Sequence, residues 1–117
     1  KEPINIFGNN FNTKDGTCIR DYIHIDDINQ FSMDVINQKS GMYNLGSGIG
    51  YSNKEIVDEV SRILGYDLNV KYLQARKGDP DILIAVISKS KSIGFKPSFN
   101  LTEILRSVID YEYSKIL

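Results

Sequence analysis

Cysteine, histidine, tryptophan and proline are all scarce in this 117-residue chain, which has one, one, none and three of them respectively. Each scarcity closes off a class of chemistry. With Cys18 alone no internal disulfide can form, which fits a reduced, cytoplasmic setting. With His24 as the single histidine, neither a zinc constellation nor a histidine-based triad can be assembled. A half-buried, hydrogen-bonded structural role is left for it. No apolar run approaches the ~18 residues of a spanning helix, so no membrane partner is expected. No signal-peptide pattern opens the chain. A net charge of −1 supplies no basic footprint for nucleic acid or for an acidic membrane.

The remaining composition is ordinary for a globular protein: 41% apolar and 25% charged residues, enough for one domain at most. Such a domain buries roughly two-thirds of its unfolded surface. The chain opens at Lys1 without an initiator methionine, and Pro3 leads straight into a strand, as if cut from inside a longer protein.

Ile4 to Gly8 reads as a short strand, with Pro3 tolerated at its start. Asn9 to Gly16 is a polar loop of turn formers. A turn centred on Asp15-Gly16 then delivers an alternating run ending near Ile25, with Arg20 and Tyr22 on one face and Ile19, Ile23 and Ile25 among the residues opposite. Asp26 or Asp27 caps a helix bearing Ile28, Phe31, Val35 and Ile36, stopped by Gly41. Met42 to Leu45 is a short β-like run. Ser52 and Glu55 form a capping box for a helix bearing Ile56, Val57, Val60, Ile63 and Leu64, ended by Gly65. Leu68, Val70 and Tyr72 alternate as a strand, and Ile82 to Ile87, six apolar residues in a row, needs cover on both faces. A short helical turn at Ser88 to Ser92 precedes a Gly94/Pro97 break. The last helix starts near Asn100 and Glu103 and carries Leu101, Ile104, Leu105, Val108 and Ile109. The fold class is mixed α/β, without enough parallel units for a complete nucleotide-binding sheet.

An arginine and a tyrosine on a stiff strand beside a glycine turn suit a ligand with phosphate and sugar. The competing reading is a surface pair of Arg20 with Asp15 or Asp21. Gly46-Ser47-Gly48-Ile49-Gly50 sits between a strand and a helix, but the dinucleotide fingerprint needs G-x-G-x-x-G. Nor does an acidic residue end a strand about twenty positions later; Asp67 precedes one. A tight strand-to-helix turn is the better reading. Tyr111 and Lys115 have Tyr-x-x-x-Lys spacing at the C-terminal end of a helix, where an exposed surface pair is expected.

The run Ile6-Phe7-Gly8-Asn9-Asn10-Phe11-Asn12-Thr13-Lys14-Asp15-Gly16-Thr17-Cys18-Ile19-Arg20-Asp21-Tyr22-Ile23-His24-Ile25 resembles the UDP-glucose 4-epimerase family of the extended short-chain dehydrogenase/reductase superfamily. Tyr43-Asn44-Leu45-Gly46-Ser47-Gly48, Arg76-Lys77-Gly78-Asp79-Pro80 and Ser88-Lys89 come next, in the family's order. The resemblance is to the family's C-terminal, substrate-binding part. It implies that residues 1–117 form a UDP-sugar-binding fragment whose elements would complete an absent N-terminal Rossmann domain. That domain would hold NAD and the catalytic Ser/Thr and Tyr-x-x-x-Lys, so the fragment itself would be inactive and no catalytic residue falls in this chain. The family interconverts UDP-glucose and UDP-galactose by hydride transfer at C4, which belongs to galactose metabolism. A homodimer is implied for the full-length protein.

Carried over position by position, the resemblance makes Arg20 the first phosphate-binding arginine and Arg76 the second. Asp79 becomes an acid that bonds ribose, and Tyr22 a ribose contact. Asn5 and Phe7 lie where a strand's main chain recognises uracil. Leu83 matches the position that sets room around the sugar's C2 substituent, and its modest size implies tolerance of N-acetylhexosamines. A loop salt bridge is the competing reading for Arg76 and Asp79. The chain departs from the family pattern at Asn10-Phe11, Lys77 and Ala85-Val86, the last removing an expected carboxylate cap. Rival readings are a related sugar-nucleotide dehydratase or decarboxylase, disfavoured by Thr13-x-Asp15-Gly16-Thr17, and a non-enzymatic interaction domain. Without its partner domain, the open apolar faces and Ile82 to Ile87 imply self-association of the fragment.

Overall fold

An alternating run becomes a strand only as far as a second strand accepts its hydrogen bonds, and that limit shapes the computed structural model, which describes residues 2–116. The elements are mixed α/β and fall into two units. One comprises the described residues up to Arg20 with Gly50–Leu83; the other comprises Asp21–Ile49 with residues 84–116.

In the first unit, β1 (Ile4–Phe7) runs parallel to β4 (Val70–Leu73), with Ile4 opposite Val70 and Phe7 opposite Leu73. Ile6 is buried between them and the rest of the unit. The other sheet has the order β3 (Gly50–Ser52), β2 (Ile19–Asp21), β5 (Ile82–Leu83), with Ile19 opposite Ile82 and Arg20 opposite Leu83 in parallel. Helix α2 (Asn53–Leu64) carries the expected capping box and ends on Gly65 at φ 76°, the left-handed conformation that glycine adopts without strain. Its apolar stripe is half-buried rather than sealed.

The second unit holds α1 (Ile25–Asp34), a 3₁₀ turn (Val35–Asn37), the four-residue α3 (Ser88–Lys91) and α4 (Leu101–Ser114). Phe31, Ile87, Phe95, Ile104 and Leu105 form its core, Phe31 meeting Phe95 and Tyr43 edge-on. Asn100 and Glu103 close a second capping box at α4.

Several expectations give way. The Arg20 strand stops at Asp21, so Tyr22 lies beyond it and Ile25 opens α1 as an exposed helical residue. Asp26 and Asp27 do not cap α1. His24 does, its Nδ1 accepting from the Asp26 N–H at 3.1 Å. Asp27 is buried and engaged elsewhere, accepting from the Ser98 N–H and hydroxyl and from the Phe99 N–H. The helix tightens at Val35 and finishes before Gly41. Met42 to Leu45 forms no strand: it has no ladder partner among the described residues, and its carbonyls at Met42 and Asn44 accept instead from Lys89 Nζ and Ser90 Oγ. Leu68 lies outside β4. Of Ile82 to Ile87 only the first two residues are strand, and Leu83 and Val86 remain 60% and 72% exposed while Ile87 is buried. The expected missing cap at α3 is seen, with no side-chain bond at its N-terminus.

The Thr13–Thr17 turn is fastened to α2. Gly16 sits at φ 78°, and a Cβ there would fall 2.1 Å from the Asn9 carbonyl oxygen, so no other residue fits. Asp15 Oδ1 accepts from the Thr17 N–H (2.9 Å) and hydroxyl (2.7 Å), while Oδ2 accepts from the Ser52 hydroxyl. Ser52 Oγ accepts in turn from the Glu55 N–H, and Lys14 pairs with Glu55. Partial burial alone would raise the Asp15 pKa, but the bonds from Ser52 and Thr17, with the Lys14 charge, outweigh it and hold the carboxyl below its ordinary 3.8. The hydrogen bond from Lys14, then the Ser52 N–H, likewise holds Glu55 below 4.5.

Both groups titrate lower folded than unfolded, so their stabilisation is complete above those ordinary values and drains away as pH falls through the depressed ones. Urea unfolding at about pH 6 and about pH 3 should show stability lost on acidification, and Asp15→Asn with Glu55→Gln should flatten that slope. An unchanged slope in the double variant would rule the two carboxylates out as its source.

Candidate functional site

Strand β2 presents Arg20 from its middle, half-buried and directly opposite Leu83, so the two side chains share a face. Arg20 pairs with neither Asp15 nor Asp21, because both carboxylates are already occupied. Its Nη1 instead donates to the carbonyls of Ile19 (2.8 Å) and Pro80 (2.9 Å). The Nε and Nη2 ends make no bond among the described residues. A guanidinium held by one nitrogen keeps three N–H donors and its full charge for an anion.

Pro80 belongs to the exposed loop that carries the second arginine. Arg76 Nε donates to Asp79 Oδ2 at 3.0 Å, so the loop salt bridge does form. It is a single bond, however, leaving both terminal nitrogens of Arg76 and the other oxygen of Asp79 uncommitted among the described residues. The Arg76 guanidinium also lies 5.0 Å from the centre of the Phe7 ring. Arg20 and Arg76 thus anchor on adjacent residues, Pro80 and Asp79.

Beside them runs the edge of β1. The Ile4 and Gly8 N–H groups donate to Asn69 and Leu73 of the β4 side. By strand alternation the main chains of Asn5 and Phe7 face the opposite edge, where no described strand pairs. Asn5, Phe7, Arg20, Arg76, Asp79 and Leu83 therefore all belong to the first unit. Tyr22 falls in the second unit, past the end of β2. Two surface clefts, one between the C-terminal half of α2 and the 65–70 turn and the other lined by Asp26, Gln30, Phe95 and Lys96, contain none of these residues.

The Gly46–Gly50 turn is not a dinucleotide cradle. The N–H groups that would face a pyrophosphate already bond Asp21: Ser47 N–H at 2.7 Å, Gly48 N–H at 2.9 Å and, from the other side, Ala85 N–H at 3.2 Å, with the Ser47 hydroxyl at 2.6 Å. A Cβ on Gly46 would meet the Asp21 carboxylate at 2.5 Å and Ala85 at 2.6 Å. This turn therefore does not fit NAD. The N-terminus of α2 is equally filled, its first N–H groups donating to Cys18 O, Thr17 Oγ1 and Ser52 Oγ.

Tyr111 and Lys115 make the surface pair expected of them, with Lys115 Nζ 4.1 Å from the Tyr111 ring centre and bonded to Glu112. His24 is buried and structural. Because Nδ1 accepts a backbone N–H, the proton sits on Nε2, 3.0 Å from Ser107 Oγ, and the ring stacks on Phe99 at 3.9 Å. Sequence reasoning missed Asp81, whose carboxylate accepts from the Asn12 N–H and whose carbonyl accepts from the Ile19 N–H. No spacing rule links residues so far apart.

No protein-family model matches the chain. The UDP-glucose 4-epimerase of Streptococcus mutans is 37% identical over 106 residues, covering 86% of this chain and 32% of that protein. The solved UDP-Glc/GlcNAc 4-epimerase of Campylobacter jejuni is 35% identical with a TM-score of 0.85, over 97% of this chain and 36% of that one. The UDP-glucose 4-epimerase of Bifidobacterium longum, solved with NAD+ and UDP, is 28% identical with a TM-score of 0.89, over 97% of this chain and 36% of that one. The chain spans about one third of the length of the curated relatives it matches. No described helix is long and apolar enough to cross a membrane. In sequence and in fold the chain is similar to UDP-glucose 4-epimerases, over a stretch matching about one third of those enzymes.

Proposed function

We propose that this chain is the C-terminal, UDP-sugar-gripping part of an NAD-dependent UDP-glucose 4-epimerase that interconverts UDP-glucose and UDP-galactose in the cytoplasm. NAD and the catalytic groups lie outside these 117 residues, so the stretch alone binds without turnover. The observation that carries the reading is that Arg20 and Arg76 bond to adjacent residues of one loop, each with guanidinium donors uncommitted among the described residues. Two such forks match the roughly two charges of a diphosphate. Asp79 has an oxygen to accept from ribose hydroxyls, and the unpaired Asn5 and Phe7 edge offers an amide and a carbonyl to uracil.

Calorimetry with UDP tests this. A bond from a charged group is worth roughly 1.5–3 kcal/mol, so Arg20→Ala or Arg76→Ala should each weaken UDP binding by about tenfold or more. Unchanged affinity in the double variant would favour a non-enzymatic interaction domain. Measurable epimerisation by the 117 residues alone would equally overturn the division of labour proposed here.

Leu83 stands opposite Arg20 on β5 and is smaller than an aromatic ring. On that ground the full-length enzyme also accepts the N-acetylhexosamine pair, as the name of the Campylobacter jejuni neighbour indicates for that protein. Turnover of UDP-N-acetylglucosamine checks this, and Leu83→Tyr should abolish it while sparing UDP-glucose. Equal rates in the variant would remove Leu83 from that role.

The full-length protein is a homodimer in this reading. Exposed Ile82 and Leu83 on the first unit, with Val86, Met33, Ile36 and Met42 on the second, leave the 117-residue stretch open to self-association. Light scattering should find it larger than a monomer at about 100 µM; a clean monomer would refute the point.

A further inference from the structure

The loop carrying Arg76 and Asp79 is exposed at every position from Gln74 to Pro80 except Asp79, so few packing contacts hold it. Its N-terminal end is tied where the Gly8 N–H donates to Leu73. Its C-terminal end is tied at Asp81 and at Pro80 before it. The Asp81 carbonyl accepts from the Ile19 N–H at 2.8 Å, which aligns β2, and the Asp81 carboxylate accepts from the Asn12 N–H at 3.1 Å, which fastens the 9–16 loop. Arg20 Nη1 then reaches the adjacent Pro80 carbonyl. Three segments that carry or flank the proposed ligand groups therefore converge on Pro80 and Asp81, both in the first unit.

We infer that Asp81 is a positioning residue for the UDP-sugar grip: its side chain clasps the 9–16 loop to the end of the Arg76–Pro80 loop and so holds Arg76 and Asp79 in reach of Arg20. It touches no ligand. The inference rests on the UDP-sugar reading of this site and adds the group that assembles it. The clasp needs an acceptor oxygen at Oδ2 and not a charge, since its partner is a neutral N–H. Asparagine can supply that oxygen and alanine cannot.

The test compares Asp81→Ala and Asp81→Asn with the wild type in the full chain, by hydrogen exchange of the free protein and by calorimetry with UDP. One ordinary, solvent-exposed hydrogen bond corresponds to roughly a three- to tenfold change. Asp81→Ala should speed exchange across residues 74–80 and weaken UDP by that factor while leaving the α2 amides, a built-in check on folding, unchanged. Asp81→Asn should restore both to within about twofold. Wild-type exchange in Asp81→Ala, or an Asp81→Asn variant as impaired as the alanine one, overturns the clasp. If the wild type binds no UDP, the nucleotide reading fails by itself, and the exchange comparison still decides whether Asp81 orders the loop.

Discussion

A carboxylate oxygen that receives both the N–H and the hydroxyl of one serine or threonine recurs three times, and the rest of the structure hangs from it. Asp15 takes Thr17 in this way, Asp21 takes Ser47 and Asp27 takes Ser98. In each case the carboxylate reaches further, to Ser52, to Gly48 with Ala85, or to Phe99. These bonds go to neutral donors inside the fold, not to lysine or arginine, so solvent screening touches them little. The three acids stand six residues apart on either side of Arg20, and each is tied to a segment further along the chain. Arg20 is thereby left as the one cation in the run with no acidic partner among the described residues.

That arrangement gives the glycine-rich segments a different meaning from the one their spelling invites. Gly46 is glycine because Asp21 and Ala85 occupy the space its side chain would need. Gly16 is glycine because the Asn9 carbonyl does. In both places one of the protein's own oxygens, a carbonyl or a carboxylate, takes the space a side chain would need.

Legibility in the sequence tracked the range of the interaction. Both capping boxes, the Gly65 stop and the Arg76–Asp79 spacing join residues three or four apart, and they read directly from the chain. The α1 cap went to His24 because Asp27, the better capping residue by type, bonds Ser98, seventy-one positions on. Met42 to Leu45 had strand composition and no described strand to pair with. Arg20 had two aspartates within reach by sequence, but each was engaged by partners that only the folded chain brings close. The Asp81 bond was not legible either, since its partner Asn12 is sixty-nine residues away.

The two units are interleaved along the chain, and this orders their birth at the ribosome. Every segment of the first unit has left the exit tunnel once Leu83 is through, whereas Asp21–Ile49 must wait for Ile84 onward. Helices α2 and α4 can nucleate early from their own caps, but β1 stays without its partner until β4 arrives, an offset of sixty-six positions at Ile4 and Val70. The late steps in assembling the first unit are accordingly the closure of β1 on β4 and then of β2 on β5, the former setting the edge that Asn5 and Phe7 present.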